Sequence, residues 1–165
     1  MSASADLLFL GPRRAVLYRK LERVMTVVDE GGLPMVIKEV YLFGSFLRDK
    51  QRPTDIDVLL IYDSDATLNL YESIGRKGDK HWRLWQMSRA PGKLRRCLKA
   101  NAEKSVDLSI CPSLEEYQRD LAYPMDIWLR IWTRQDRDWG IKLMDHFDQA
   151  ARTPLPQVSP AGRSG

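Results

Sequence analysis

Two cysteines and two histidines are all that the 165 residues offer as thiol and imidazole metal ligands. Cys97, Cys111, His81 and His146 are scattered, without the paired spacing of a zinc site, which argues against structural zinc. Two cysteines also argue against a disulfide framework and fit a reducing, cytoplasmic setting. No apolar run approaches the ~20 residues that cross a bilayer, so no membrane partner is expected. The N-terminal segment has no basic residues ahead of its short apolar stretch, unlike a secretory leader. No internal repeat is present.

What remains is an ordinary globular composition, 44% hydrophobic and 29% charged, of a length that suits one domain. The net charge of +4 is unevenly spread. Between Arg76 and Lys104 ten basic residues face two acidic ones, a surplus of eight, so the rest of the chain stands at −4. Such a block suits a polyanion, a triphosphate or nucleic acid; its simplest structural role is a solvated helix face.

Periodicity places the elements. Residues 12–30 predict an amphipathic helix through Val16, Leu17, Leu21, Val24, Met25 and Val28, ended by Gly31-Gly32. Residues 36–43 predict a strand, and Ser45 to about Lys50 a short helix. Asp55 to Tyr62 predicts a central strand, apolar on both faces from Val58. Asp63 to Asp65 predicts a turn and helix cap. Residues 66–74 and 79–100 predict helices, the second interrupted at Ala90-Pro91-Gly92. Residues 105–111 predict a third strand, and Ser113 with Glu116 a capping box. Residues 126–133 fit either a strand or a helix, with Trp128 and Trp132 sharing a face in both. Asp138 to Ala151 predicts a helix. His81 and His146 are most simply surface residues.

The richest segment is Tyr41-Leu-Phe-Gly-Ser45 followed by Thr54-Asp-Ile-Asp-Val58. Side chains two apart on a strand share a face, so Asp55 and Asp57 project together while Ile56 enters a core. Two carboxylates on one face are tolerable when they share a cation, and Mg²⁺ is suited to carboxylates and substrate phosphates. Gly44-Ser45 closes a strand and opens a helix, where free N–H groups and a hydroxyl can receive an anion. An aspartate flanked by Val106 and Leu108 is costly to bury unless its face is wet or lined by metal, which singles out Asp107.

In order, Gly44-Ser45-x-x-Arg48, Thr54-Asp55-Ile56-Asp57-Val58 and Ser105-Val-Asp107-Leu-Ser-Ile-Cys111 resemble the signature of the nucleotidyltransferase fold, the DNA polymerase beta superfamily. The match covers roughly residues 36–111. The resemblance implies an α/β (α+β) fold with a small mixed sheet that carries the carboxylates and is flanked by helices. A single domain of that kind is expected over 1–151, with a helical C-terminal extension over 113–151, and the tail over 152–165, with Pro154, Pro156 and Pro160 and no core-forming pattern, is expected to be disordered.

The resemblance further implies transfer of a nucleoside monophosphate from an NTP, ATP foremost, to an acceptor hydroxyl. Two Mg²⁺ ions, or Mn²⁺, would be held by Asp55, Asp57 and Asp107, with Asp107 taking the acceptor's proton. Gly44, Ser45 and Arg48 would bind the triphosphate. Small domains of this kind often work beside a separate helical protein, and in toxin–antitoxin pairs they adenylylate the partner. A small-molecule acceptor is the other expectation, and an RNA end a third, motivated by the basic segment 76–104. Where such domains usually carry Gly after the Arg, this chain has Asp49, which adds a Cβ and a negative charge. Asp49 keeps a different class of function open, a silent module of the same fold that binds a nucleotide or a partner.

Overall fold

The structure is a computed structural model that describes residues 10–48, 52–74, 80–99 and 104–152. Asp49 and Lys50 lie outside the described residues, as does the tail beyond Arg152.

The elements run α1 (Gly11–Glu30), β1 (Ile37–Phe43), a 3-10 turn (Gly44–Leu47), β2 (Ile56–Tyr62), α2 (Ser64–Ile74), α3 (Lys80–Leu98), β3 (Val106–Cys111), α4 (Leu114–Asp120), β4 (Trp128–Thr133) and α5 (Trp139–Arg152). The strands form one mixed sheet in the order β3-β2-β1-β4. β1 is antiparallel to both β2 and β4, whereas β2 and β3 are parallel and joined by the α2–α3 crossover. The chain is thus a mixed α+β fold. No helix among the described residues is long and apolar enough to cross a membrane.

Strand alternation divides the sheet into two unequal faces. Ile56, Val58 and Leu60 point to a large core that also buries Leu17, Leu21 and Met25 of α1, Leu94 and Leu98 of α3, and Leu143 and Phe147 of α5. Phe43, Leu59 and Ile61 point the other way. Among the described residues, their smaller cluster packs against Tyr41 and Cys111 of the sheet, Leu114 and Tyr117 of α4, Met125 and Trp128. One face therefore carries almost all the helices, and the other keeps an open end.

Several expectations need correction. Val16 is 46% exposed, and Tyr18 takes its place in the α1 stripe. The short helix after β1 is a single 3-10 turn, because Arg48 returns to extended backbone once Phe46 and Leu47 are buried. Among the described residues, no longer helical turn that could receive an anion is formed there.

α3 runs unbroken through Pro91. A proline inside a helix costs ~3 kcal/mol, and the burial of Ala90, Leu94 and Leu98 along the same stripe offsets it. The C-terminal extension is not purely helical, since residues 128–133 add an edge strand to β1.

Trp128 and Trp132 do not share a face. The β1–β4 register shifts between Val40 and Tyr41, which pair with Trp132 and Arg130 and leave Ile131 over. That bulge puts Ile131 and Trp132 together in the large core, where Trp132 Nε1 donates to Asp29 Oδ1 at 2.7 Å. Trp128 stays on the other face, its ring stacked on Phe43 at 4.7 Å.

The remaining boundaries follow local chemistry. Gly31 and Gly32, both at positive φ, end α1. Asp63 Oδ1 accepts from Ala66 N at 2.9 Å and caps α2. Ser113 Oγ accepts from Glu116 N at 3.1 Å and caps α4.

Candidate active site

The carboxylates sit at the open end of the lightly covered face. In the parallel β2–β3 ladder Asp57 is the register partner of Asp107, Ile56 of Val106 and Val58 of Leu108. Register partners on neighbouring strands project to the same side. Asp57 and Asp107 therefore stand next to each other, away from the large core, and Asp55 precedes β2 by one residue on Asp57's side. Ile56, between the two aspartates, is fully buried. The three residues singled out from sequence are thus neighbours.

Their surroundings differ. Asp107 is exposed, whereas Asp55 and Asp57 are half-buried. Thr54 Oγ1 donates to Asp55 Oδ1 at 3.2 Å. The Asp57 carboxyl is pushed up from 3.8 to about 6, first by burial and then by the charges of Asp55 and Asp107. Repulsion reaches across the trio, yet among the described residues no three acidic, imidazole or thiol side chains converge closely enough to hold an ion as they stand. The donor chemistry fits a hard divalent cation, with three carboxylates on one open face. Closing around an ion would require their side chains to turn toward one another.

Gly44 supplies the second half of the site. It has φ +80°, a conformation that L side chains rarely adopt, and its missing Cβ would overlap the Asp57 carboxylate, 3.2 Å from Cγ. Ser45 is half-buried beside it. Arg48 pairs with Asp126 at 3.5 Å. The arginine expected to face a triphosphate thus faces a carboxylate of the loop before β4.

Three residues missed by sequence reasoning hold this segment from behind. Arg13 donates to the carbonyls of Pro53 at 3.2 Å and Thr54 at 2.6 Å. Arg14 donates to the Phe46 carbonyl at 3.2 Å and to that of Arg48. His146 Nε2 bonds the Leu47 carbonyl at 3.0 Å, so it is a structural contact of α5 and not only a surface histidine. Two basic residues opening a helix, where cations are unfavourable, were the available signal. β3 is held in register by Ile56 N donating to the Ser105 carbonyl at 2.8 Å, with Lys20 on Ser105 Oγ at 3.0 Å.

The floor beyond the carboxylates is aromatic. Phe43, Tyr117 and Trp128 pack on one another at 4.7–6.0 Å between ring centroids. Ser109, one strand step from Asp107 on the same side, shares a 2.9 Å hydrogen bond with the Tyr117 hydroxyl.

Residues 2–142 match the model of a family of unknown function (DUF6932), and the chain belongs to that family. No curated protein and no solved structure matches the chain.

Proposed function

We propose that this family member is a metal-dependent nucleotidyltransferase, moving a nucleoside monophosphate from an NTP to an acceptor hydroxyl. One observation carries the reading. Asp57 and Asp107 are paired across parallel strands, Asp55 stands two residues away, and a left-handed Gly44 is packed against Asp57 where a Cβ cannot fit. A purely structural turn has no need of three carboxylates on one open face. The Gly-Ser and Asp-x-Asp motifs that resemble the nucleotidyltransferase fold meet at this point.

In this reading Asp55, Asp57 and Asp107 hold the cations. Bound Mg²⁺ or Mn²⁺ would supply charge for the triphosphate and acidity for the attacking hydroxyl. Gly44 lets the phosphates approach the backbone, and the Ser45 hydroxyl hydrogen-bonds one of them. Arg48 exchanges Asp126 for phosphate oxygens. Asp107, the exposed member, takes the acceptor's proton as the new ester bond forms and pyrophosphate leaves. The large core on the opposite side holds β2 rigid, so catalysis is positioning and electrostatics. ATP is the first donor to test, and a protein or a small molecule the first acceptor.

A silent nucleotide-binding module is the second reading. It is favoured by the trio's lack of convergence and by the engagement of Arg48 with Asp126. Incubation with Mg²⁺ or Mn²⁺, each labelled NTP and a panel of protein and small-molecule acceptors separates the two. Transfer of label with pyrophosphate release, lost in Asp57→Asn, supports the enzyme. Metal-dependent NTP binding without pyrophosphate release supports the module. No binding of any NTP sinks both.

A further inference from the structure

The basic surface of α3 is not used by the carboxylate site. α3 and the Lys99 that follows it carry seven lysines and arginines and no aspartate or glutamate. Trp82, Trp85, Arg89, Lys93, Arg96 and Lys99 recur every three or four residues, so they form one stripe along the helix. At 1.5 Å per residue that stripe is roughly 25 Å long. Its polar end is open: Arg96 and Lys99 are exposed and their side chains make no ion pair with another described residue.

The other end is aromatic. Trp85 is 52% exposed, with the Arg89 guanidinium 4.7 Å from its ring centroid. Trp82 lines a groove of about 600 Å³ together with Leu33, Leu70, Tyr71, Lys93 and Arg96. An apolar floor with a basic rim therefore lies beside an exposed indole, on a helix with no acidic side chain.

We infer that the α3 stripe binds single-stranded nucleic acid, phosphates on Arg89, Lys93, Arg96 and Lys99 and unpaired bases on the tryptophans. The stripe carries four cations and no anion, which complements a polyanion, and aromatic faces accept any unpaired base. The large exposed apolar side chains here are Leu84 and Trp85, with cations around them, which is not the continuous apolar face that a lipid surface requires. An acidic peptide would satisfy the cations but leave the indoles and the groove unused. α3 packs on the large core, opposite the carboxylates, so the inference stands independently of nucleotidyl transfer.

Fluorescence anisotropy with a labelled single strand of about a dozen nucleotides tests it. EDTA in the buffer removes any contribution from a metal site. The expected result is a log–log dependence of affinity on salt with a slope of about −3 for four phosphate contacts. Trp85→Ala is expected to weaken binding about tenfold, and Arg96→Glu with Lys99→Glu at least as much, both with the unfolding transition of the parent. Absence of binding at low salt overturns the inference. So does equal affinity for duplex with no effect of Trp85→Ala, or capture of polyglutamate or anionic vesicles in place of the oligonucleotide.

Discussion

Gly44 and Asp57 are packed so closely that residue 44 can carry no side chain. Its φ is +80°, and the space a Cβ would take belongs to the Asp57 carboxylate. A strand end and an Asp-x-Asp strand thus form one unit, in which the glycine fixes where the carboxylate can be. Gly44→Ala combines left-handed strain of roughly 1–2 kcal/mol with displacement of Asp57. It is expected to lower stability by about 2 kcal/mol in urea unfolding and to abolish nucleotide transfer. A parent-like midpoint together with retained transfer would show that the contact is incidental.

Asp57 is the member of the trio that the fold disfavours as an anion. Burial, followed by the charges of Asp55 and Asp107, pushes its carboxyl up from 3.8 to about 6. The folded state therefore binds this proton more tightly than the unfolded state, so the group favours folding below the unfolded value. That contribution is lost as pH rises from ~4 through ~6. A two-unit shift corresponds to just under 3 kcal/mol, which solvent screening at a half-buried group reduces to about 1 kcal/mol. In EDTA, Asp57→Asn is expected to be about 1 kcal/mol more stable than the parent at neutral pH and equal to it near pH 4. Chemical denaturation at the two pH values checks this; a destabilised Asn variant at neutral pH would contradict it.

Asp126 competes for the arginine that a triphosphate needs. The Arg48–Asp126 pair is exposed on the acid side, so it is worth no more than ~1 kcal/mol. Asp126→Asn is expected to tighten NTP binding two- to fivefold by calorimetry, at a loss of stability of no more than ~1 kcal/mol. Arg48→Ala in the same background should erase the gain. If Arg48 has no part in binding, neither variant will move the affinity.

The clamp of α1 on the loop between β1 and β2 predicts a distant effect. Arg14 holds two carbonyls across the chain, those of Phe46 and Arg48, and its guanidinium lies 5.8 Å from the ring of Phe147. Arg14→Ala is expected to cost about 1–3 kcal/mol, as hydrogen bonds from a charged group do. It should also raise KM for the NTP more than it lowers kcat, because the turn carrying Ser45 loses its backing. Arg14→Lys recovers one of the two carbonyls and should be intermediate. An effect on stability with no change in KM would leave Arg14 a fold residue only.

The carboxylate strand, the glycine and the third strand were legible in sequence because each rests on a short-range rule. Alternation of two placed Ile56 inward and its neighbouring aspartates outward, and the lone Asp107 among apolar residues marked an open face. What was not legible depends on distant parts of the chain. The continuity of α3 through Pro91 follows from how deeply Ala90, Leu94 and Leu98 pack, which no local signal announces. The split of Trp128 from Trp132 follows from a single extra residue in the pairing of β4 with β1. Arg13, Arg14 and His146 act on carbonyls 32 to 99 residues away, and a backbone carbonyl leaves no trace in residue identity.

The pairing of Phe43 with Trp128 has a consequence for how the protein is made. β1 is synthesised before β2, β3 and α4, and β4 closes its free edge only after all of them have been made. Until then Phe43 and the unpaired edge of β1 stand open to other chains, the exposure that makes nascent sheets aggregate. Contacts so far apart in the chain also slow folding. Trp128, one of the three aromatic rings of that floor, is therefore a late arrival, and chains cut short before residue 128 would display the Asp-x-Asp strand beside an unfinished, adhesive edge.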